Sequence, residues 1–419
     1  MKHRIRLISF APLFGQGGDA INEGQLINAL SKYVESIYCF TFVSFFRIFL
    51  DKSLKAPFSF NKNVKLITLP GFPLPYIFVF VELLYHMLIG LIYILIERII
   101  KPNITYIRGR LTAFSLLTLK PFISRPVVVK FDNFAADDVL PLLKQKQLKG
   151  VIGKLLWVVD HYTLRRADLL LVNSDVMRSL IMEKSSIEGH KIIVCPPGID
   201  VKKIEMIKKS GAPSVREGVR VGFIGSLTWW QGVDLLAQAV CTVKKKIPNI
   251  ELFIIGNGPL WGKIISICEE NNIKYTITGF VSHDEALNYL KNLDVLVVPR
   301  LRTPATESNI PIKIIEAWAL GIPVIVTSHK VLIEAGYKDR EHLLYCTPHP
   351  LSICEALLSL LENENLRGKL IASGPILAEK YSYDEIAKKL LLLIMDRINK
   401  SKHYNVKRPY VRRTSDHAS

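Results

Sequence analysis

Residues 306–328 read Thr-Glu-Ser-Asn-Ile-Pro-Ile-Lys-Ile-Ile-Glu-Ala-Trp-Ala-Leu-Gly-Ile-Pro-Val-Ile-Val-Thr-Ser and predict a loop, a helix, a turn and a buried strand. Ser308 or Asn309 can cap the helix, and Pro311 stands where a first helical turn tolerates proline. Gly321 is the expected end of the helix, because glycine readily adopts the left-handed conformation that closes a last turn. The stretch is therefore expected to form one unit of a parallel sheet with its covering helix.

The start of this helix is a candidate anion site, because free N–H groups and a partial positive charge suit a phosphate. The candidate residues there are Ser308, Asn309, Ile310 and Pro311. Glu316 follows about two turns into the helix, and its carboxylate can accept two hydrogen bonds at once, as a ribose diol requires. Lys313 precedes it by three residues on the same face. An ordinary helix beside a parallel sheet is the alternative interpretation.

Pro311 to Val324 resembles the donor-sugar segment of the family 4 retaining glycosyltransferases, which ends in Glu-Ala-x-Ala-x-Gly-x-Pro-Val. The resemblance implies that Glu316 binds the ribose of a sugar nucleotide. The family usually carries a second glutamate eight residues earlier, where this chain has Ser308. The nearest carboxylate, Glu307, is one position off, so the usual contact to the donor sugar is in question.

A second departure from the family lies in the turn after the strand that begins at Arg220. The family usually carries two cations there for the donor diphosphate, and this chain has Ser226 and Gln231 instead. Both side chains can donate hydrogen bonds, but the charge is gone. Because stabilisation of a leaving group depends on preorganised charge, another cation is expected to substitute. Lys313 is the first candidate, and Arg300 and Arg302 are the second.

A loop around Phe280 and Val281 is the candidate site for the nucleotide base, because the resemblance places the base against the backbone there. A plain connecting loop is the alternative. Ser282 and Glu285 have the spacing of a capping box at the start of the next helix. His283 is interpreted as a solvated residue of that helix's first turn.

The first half of the chain begins with a predicted strand, a glycine-rich loop and a helix, an order that places anions at helix N-termini in doubly wound sheets. The spacing is not G-x-G-x-x-G, and simple turn glycines explain the loop equally well. The resemblance implies that Gly17 and Gly18 face the donor pyrophosphate or the acceptor. Asp132, Arg108 and Arg110 follow predicted strands and are candidates for the acceptor side, or else ordinary surface charges. Asp132 is the candidate acceptor-side base.

Residues 76–100 form an apolar segment that is long enough to cross a membrane. Five residues nevertheless fall at helical spacing and form one stripe: Glu82, His86, Gly90, Tyr93 and Glu97. A lone membrane-spanning helix would not place a glutamate and a histidine in lipid without partners. We expect a helix that packs on a sheet and dips into one leaflet, while a true span and a plain core helix stay open.

Composition indicates a folded protein with an anionic partner. The chain of 419 residues is 49% hydrophobic and carries a formal net charge of +18. No nucleic-acid motif is visible, so a membrane surface ranks first among the partners. The six cysteines are scattered without a C-x-x-C pair, which suggests reduced thiols in the cytoplasm. No Asp-x-Asp motif is present and the family has no metal requirement, so neither a metal nor a cofactor is expected.

We therefore predict an α/β protein of the GT-B type, with two Rossmann-like domains facing a cleft. The predicted parts are an acceptor-binding domain (1–200), a nucleotide-sugar-binding domain (201–380) entered through a linker at 201–215, a returning helix (381–399) and a disordered basic tail (400–419). The implied function is transfer of a sugar, with retention, from a nucleotide donor to a lipid-linked or cell-surface glycan at the cytoplasmic face of the membrane. A sugar-nucleotide epimerase and a non-catalytic relative are the alternatives.

Overall fold

The fold is described from a computed structural model that covers residues 3–11, 13, 18–44, 59–71, 79–140, 146–210 and 218–406. Within these residues the strands form two separate parallel sheets, one in each half of the chain.

The sheet of the first half has seven strands in the order β3-β2-β1-β4-β5-β6-β7. Its strands are β1 His3–Phe10, β2 Val34–Ser44, β3 Val64–Gly71, β4 Ile104–Ile107, β5 Val127–Lys130, β6 Leu169–Val172 and β7 Ile192–Val194. The strands β4, β5 and β6 are buried at every position, because helices cover both faces of the sheet.

The sheet of the second half has six strands in the order β10-β9-β8-β11-β12-β13. Its strands are β8 Val219–Ile224, β9 Ile250–Ile255, β10 Lys274–Ile277, β11 Val295–Val298, β12 Val324–Thr327 and β13 Leu344–Cys346. Both strand orders reverse beside the first strand of their sheet, which is the doubly wound arrangement. The predicted pair of Rossmann-like domains is therefore confirmed.

Helices cover both sheets. Those of the first domain are α1 Gly18–Leu30, α2 Val79–Ile100, α3 Arg110–Thr118, α4 Ala135–Val139, α5 Lys146–Arg166 and α6 Asp175–Ser185. Those that follow are α7 Val201–Lys209, α8 Val233–Val243, α9 Trp261–Glu270, α10 His283–Lys291, α11 Pro304–Ser308, α12 Ile312–Leu320, α13 Lys330–Glu334, α14 Pro350–Glu362, α15 Glu364–Glu379 and α16 Tyr383–Val406.

Two predicted boundaries differ from the structure. The segment interpreted as a linker contains α7, which starts at the Asp200 cap and packs against α10 and α12 of the second domain. Its Ile204 and Ile207 are buried in the core of that domain, so this part is a packed helix.

The last helix, α16, packs on α1 and buries Ile386 and Leu390 in the first domain's core. It also continues past the predicted end at 399 to Val406.

The apolar helix α2 packs with its polar stripe facing inward. Tyr93 and Glu97 are buried, and Glu97 accepts hydrogen bonds from the backbone N–H groups of Ser124 and Arg125 at 3.1 and 2.9 Å. The outward face is apolar instead: Leu84 is 71% exposed and Ile99 is 79% exposed. Among the described helices, the stretch Val81–Ile100 has the length and composition of a membrane span.

The helix α12, which carries both Lys313 and Glu316, is held on the second sheet by a close contact with α15. Trp318 of α12 is buried, lies 4.7 Å from the Tyr337 ring and donates from Nε1 to the carbonyl of His342 at 3.1 Å. Gly374 of α15 faces the Trp318 backbone so closely that an added Cβ would lie 2.9 Å from its carbonyl oxygen. Only glycine allows the two helices to approach in this way.

We expect Gly374→Ala to destabilise the protein by about 1–3 kcal/mol, because the new methyl group overlaps the Trp318 backbone, which cannot move without shifting the helix. Gly368→Ala is the matched control, since Gly368 lies in the same helix with nothing within 4 Å of an added Cβ. The control should be neutral or stabilise the protein by up to about 1 kcal/mol. Urea denaturation of both variants checks the prediction, and equal stabilities would contradict it.

Candidate functional site

The amine of Lys313 lies over the turn that follows β8. Its Nζ is 3.3 Å from the Gln231 side-chain oxygen and 4.4 Å from the centre of the Phe223 ring. Gly225 has a φ of 133°, which L side chains rarely adopt, and an added Cβ there would lie 2.6 Å from the same Nζ, so the turn favours glycine. Ser226, in the same turn, is exposed. The structure thus brings the lysine of α12 to Gln231, one of the two positions where a cation is missing, and beside Gly225, which precedes the other.

Burial is the largest influence on this lysine and lowers the pKa of Lys313 to about 7. The charge of Arg300 lowers it further, while the Glu316 carboxylate works in the opposite direction. A lysine in this condition changes its charge near neutral pH and gains a proton when an anion binds beside it. The site is therefore prepared for an anionic ligand.

Glu316 is buried and accepts a hydrogen bond at Oε1 from His283 Nε2 at 2.7 Å. The interpretation of His283 as a solvated residue is therefore wrong. His283 follows the Ser282 cap, and α10 and α12 pack side by side so that its ring turns toward Glu316. The capping box of Ser282 and Glu285 is present as predicted.

Glu316 also borders a crevice shared by both halves of the chain. Gln25 of α1 lines one side of it, and Asp200 and Lys203 at the start of α7 line another. The crevice has a volume of about 10 Å³, which is far below the several hundred cubic ångströms of a typical ligand site. This crevice is therefore too small to hold a ligand the size of a nucleotide.

The residues before α12 are arranged differently from the prediction. The N-cap of α12 is Pro311, which makes no side-chain cap, so neither Ser308 nor Asn309 caps this helix. The reason is the capping box of Thr303 and Thr306, which starts the separate short helix α11. Ser308 ends that helix and donates from Oγ to the carbonyl of Pro304 at 2.8 Å. Ile310 is buried in the core, and Pro311 is partly buried.

Ser308 and Asn309 instead join the two domains. The Ser174 hydroxyl donates to the Ser308 carbonyl at 2.5 Å. Asn309 donates from Nδ2 to the Asp132 carbonyl at 3.2 Å, and its side-chain oxygen accepts from Asn173 at 3.0 Å. These bonds lie where the carboxyl ends of both sheets face each other.

The two candidate arginines differ in their positions. Arg300 is buried, donates from Nη1 to the Asn309 carbonyl at 3.3 Å and lies 5.1 Å from the centre of the Trp230 ring. Arg302 is exposed and donates to the Ser328 hydroxyl at 2.9 Å. Arg300 is therefore the one that contributes charge next to Lys313.

Asp132 lies at the end of β5 and is held by two donors. Its Oδ2 accepts from Arg108 Nε at 2.8 Å, and its Oδ1 accepts from Asn173 at 2.9 Å. Burial acts to raise the pKa of Asp132, but the charges of Arg108 and Lys130 outweigh it, and the net pKa is lowered. An ionised carboxylate with a lowered pKa is a weak proton acceptor, which favours a positioning role over that of a base.

Glu23, which was not among the residues predicted from the sequence, lies in α1 and is fully buried. Its Oε2 accepts from Arg108 at 3.1 Å and from Lys130 at 3.3 Å. The available signal was a glutamate on the helix that follows the glycine-rich loop. Arg110, the other predicted cation, donates to the side-chain oxygen of Asn133 at 2.7 Å.

The remaining predicted residues are more scattered. Gly17 lies outside the described residues, and Gly18 is the first residue of α1. Phe280 is 67% exposed in the loop before α10, while Val281 packs on the core of the second domain. Glu307 accepts at Oε2 from the Lys330 backbone N–H at 2.6 Å and so caps α13.

Residues 218–363 match the family model described as "Glycosyl transferases group 1". A curated relative, the putative colanic acid biosynthesis glycosyltransferase WcaL of Salmonella typhimurium, is 28% identical over 193 residues, which cover 43% of this chain and 46% of the relative. The chain aligns with about half of the length of such relatives.

Solved structures match almost the whole chain. Sucrose-phosphate synthase from Thermosynechococcus elongatus is 17% identical, with a TM-score of 0.76 over 95% of this chain and 100% of that one. Anabaena Alr3699/HepE in complex with UDP-glucose is 14% identical, with a TM-score of 0.67 over 94% of this chain and 100% of that one. At these identities the likeness establishes the fold.

We expect Lys313→Met to raise the melting temperature of the ligand-free protein most at pH 6. The folded pKa of Lys313, about 7, lies below the ordinary 10.5, so the buried charge weakens the fold at low pH. This cost is relieved as pH rises from about 7 to 10.5, and the advantage of the variant should shrink over that range. Thermal denaturation at several pH values checks this, with the exposed Lys369→Met as control. An advantage that does not change with pH would contradict it.

Proposed function

Because residues 218–363 are a domain of the glycosyl transferases group 1 family within a GT-B fold, we propose that this protein is a retaining glycosyltransferase of the family 4 type. It moves a sugar from a nucleotide-sugar donor to a lipid-linked or cell-surface glycan acceptor. The likeness to a structure in complex with UDP-glucose supports a nucleotide-sugar donor, and the colanic acid relative supports a polysaccharide product.

The observation that carries this proposal is the position of the Lys313 amine. The amine lies 3.3 Å from the Gln231 side-chain oxygen. In the family that this chain resembles, the same turn carries the cations that bind the donor diphosphate. The charge that is absent from the turn is supplied from α12. When the donor diphosphate binds there, its charge raises the pKa of Lys313 and the amine becomes fully protonated. The ammonium then stabilises the nucleoside diphosphate as it departs.

The other groups around the turn have positioning roles in this proposal. Glu316 keeps Oε2 for the ribose while His283 holds Oε1. The backbone near Phe280 and Val281 takes the base. No protein nucleophile is required: the bond from the anomeric carbon to the diphosphate oxygen breaks, and the acceptor hydroxyl attacks from the same face. The proton of that hydroxyl passes to the departing phosphate oxygen.

Donor entry requires the domains to separate. The Ser174–Ser308 and Asn309–Asp132 bonds across the cleft must open before a nucleotide can reach Glu316. Such domain opening and closing is a common way to admit a donor and then to exclude water from the reaction. No metal or other cofactor enters the proposed reaction.

The acceptor is proposed to come from a membrane surface at the cytoplasmic face. The outward face of α2 is apolar from Val81 to Leu95, with Arg98 exposed near its end, and the chain carries a net charge of +18. An apolar helix face beside an excess of lysine and arginine suits attachment to an anionic bilayer.

Two other functions remain to be distinguished. A sugar-nucleotide epimerase would convert its substrate without an acceptor, which product analysis would reveal. A non-catalytic relative would bind no sugar nucleotide at all. A thermal-shift screen across sugar nucleotides separates this last class from the others and identifies the donor base and sugar.

We expect Lys313→Gln to lower turnover by about 10²–10³-fold, because the leaving diphosphate loses its cation. The double variant Gln231→Lys/Lys313→Gln should recover most of the loss, since it returns an ammonium to the same place from the neighbouring position. Release of nucleoside diphosphate from the donor found in the screen measures both effects.

Gln231→Lys alone is the matched control for this exchange. It places two cations together and should lower the melting temperature without removing activity. Full turnover in Lys313→Gln would show that the proposed role of this lysine is wrong.

We expect a triple variant of the outer face of α2, Leu84→Glu/Leu95→Glu/Ile99→Glu, to lose binding to vesicles that contain anionic lipid. These three side chains are 71%, 61% and 79% exposed, so the charges would meet the bilayer directly while the fold is kept. Vesicle flotation measures the bound fraction.

The control carries the same three new charges elsewhere: Met206→Glu/Ile376→Glu/Leu392→Glu, at positions that are 68%, 70% and 57% exposed. It should float with the vesicles like the unaltered protein. If both variants lose vesicle binding equally, the binding depends on net charge alone and α2 does not contact the bilayer.

A further inference from the structure

The first domain contains a cavity of about 430 Å³ that is separate from the cleft-facing residues described above. It lies beyond the end of β5, among α4, α5 and α6. Its walls are mainly apolar and include Phe134, Ala136, Leu140, Gly153 and Trp157. This volume falls within the range of small-molecule sites in proteins.

The polar side chains in the wall already have partners within the protein. His161 uses Nδ1 with the Trp157 carbonyl at 2.9 Å and Nε2 with the Lys184 carbonyl at 3.2 Å. Asp160 accepts at Oδ2 from the Ala135 N–H at 2.6 Å and faces Arg110 with Oδ1 at 3.6 Å. Asp137 also has an interaction of its own. The hydroxyl groups of a sugar in this cavity would meet side chains that are already hydrogen-bonded within the protein, whereas a hydrocarbon needs no hydrogen-bond partner.

The cavity is close to the cleft on one side. Phe134 comes two residues after Asp132, which meets Asn309 of the second domain. The helix α4, which supplies Ala136, also contacts α11 of the second domain. A molecule held in the cavity therefore has its other end within reach of the proposed acceptor side.

On its other side the cavity adjoins an exposed apolar helix face. Trp157 of α5 is in its wall and 57% exposed. The same helix also carries Val151, Leu155 and Val158 at helical spacing, and all three are exposed. Both α5 and α2 pack against α3, so their outer faces belong to one helical layer. The cavity thus lies beside the surface that is proposed to meet the bilayer.

A cation is present in the wall as well. The Lys184 amine lies 4.9 Å from the centre of the Phe134 ring, and Lys154 is exposed on α5. The carboxylates Asp137 and Asp160 also line the wall but have partners within the protein, so Lys184 is the charged group that a phosphate at the end of a hydrocarbon chain would meet.

We propose that this cavity binds the hydrocarbon chain next to the phosphate of a lipid-linked acceptor. The inference rests on the proposed glycosyltransferase function and specifies its acceptor class. The chain enters from the bilayer along α5, lies against Phe134 and Trp157, and leaves the phosphate and the sugar directed toward Asp132 and the cleft.

The test uses the full chain and farnesyl phosphate below its micelle concentration, with binding followed by isothermal titration calorimetry. Gly153→Leu should weaken binding by about tenfold or more, because the new side chain fills the cavity. The substitution is compatible with the fold, because an added Cβ at Gly153 meets only the Leu140 side chain, at 3.5 and 3.7 Å, and leucine favours a helix over glycine.

Gly150→Leu is the matched control, since it lies one turn earlier in the same helix with nothing within 4 Å of an added Cβ. It should bind farnesyl phosphate within about twofold of the unaltered protein. Ala136→Leu fills the cavity from the opposite wall and should reproduce the loss if Gly153→Leu fails to fold. Glucose 1-phosphate and inorganic phosphate, which lack a chain, should not bind at this position.

Three results would overturn the inference. They are absence of farnesyl phosphate binding, equal binding by Gly153→Leu and the unaltered protein, and binding of glucose 1-phosphate that Gly153→Leu abolishes. Sugar-nucleotide binding is measured in parallel and should be unaffected by Gly153→Leu. If it is absent from the unaltered protein, the proposed function fails; if it persists while farnesyl phosphate does not bind, the acceptor inference alone fails.

Discussion

The close approach of α12 and α15 at Trp318 and Gly374 is the contact on which the candidate site depends. It fixes one helix against the second sheet, and that helix carries both Lys313 and Glu316. Because backbone atoms of the two helices contact each other directly, the distance between α12 and α15 and the rotation of α12 about its axis can vary little. Lys313 then reaches the turn after β8, and Glu316 faces the first domain one turn later.

The two halves differ in how their buried charges are balanced. The second domain collects Lys313 and Arg300 near one turn, where burial first and the charge of Arg300 second lower the pKa of Lys313. In the first domain the cations Arg108 and Lys130 are matched by Glu23 and Asp132, which hold them in a buried network. An excess of positive charge therefore remains on the side proposed for the donor, where a diphosphate would compensate it.

The helix α2 reverses the usual arrangement of an amphipathic helix. Its polar residues face the protein, where Glu97 caps backbone N–H groups and His86 contacts the Thr112 hydroxyl at 3.1 Å. Most of its exposed residues are apolar, at an energetic cost in water that a bilayer would remove. Together with the exposed face of α5, this arrangement gives the first domain a surface suited to an acceptor that stays in a membrane.

Sequence alone determined the parts of this protein that depend on local pattern. The spacing from Pro311 to Gly321 predicted a helix and its end, the apolar runs predicted parallel strands, and the stripe on α2 predicted its inward face. Tertiary structure alone decided which distant groups meet. His283 and Glu316 are 33 positions apart, and Glu23 and Arg108 are 85 apart. Their contacts follow from the packing of whole helices and strands, which no periodicity encodes. The position of Ser308 is a local matter by contrast, because the capping box of Thr303 and Thr306 starts a separate short helix that ends at Ser308.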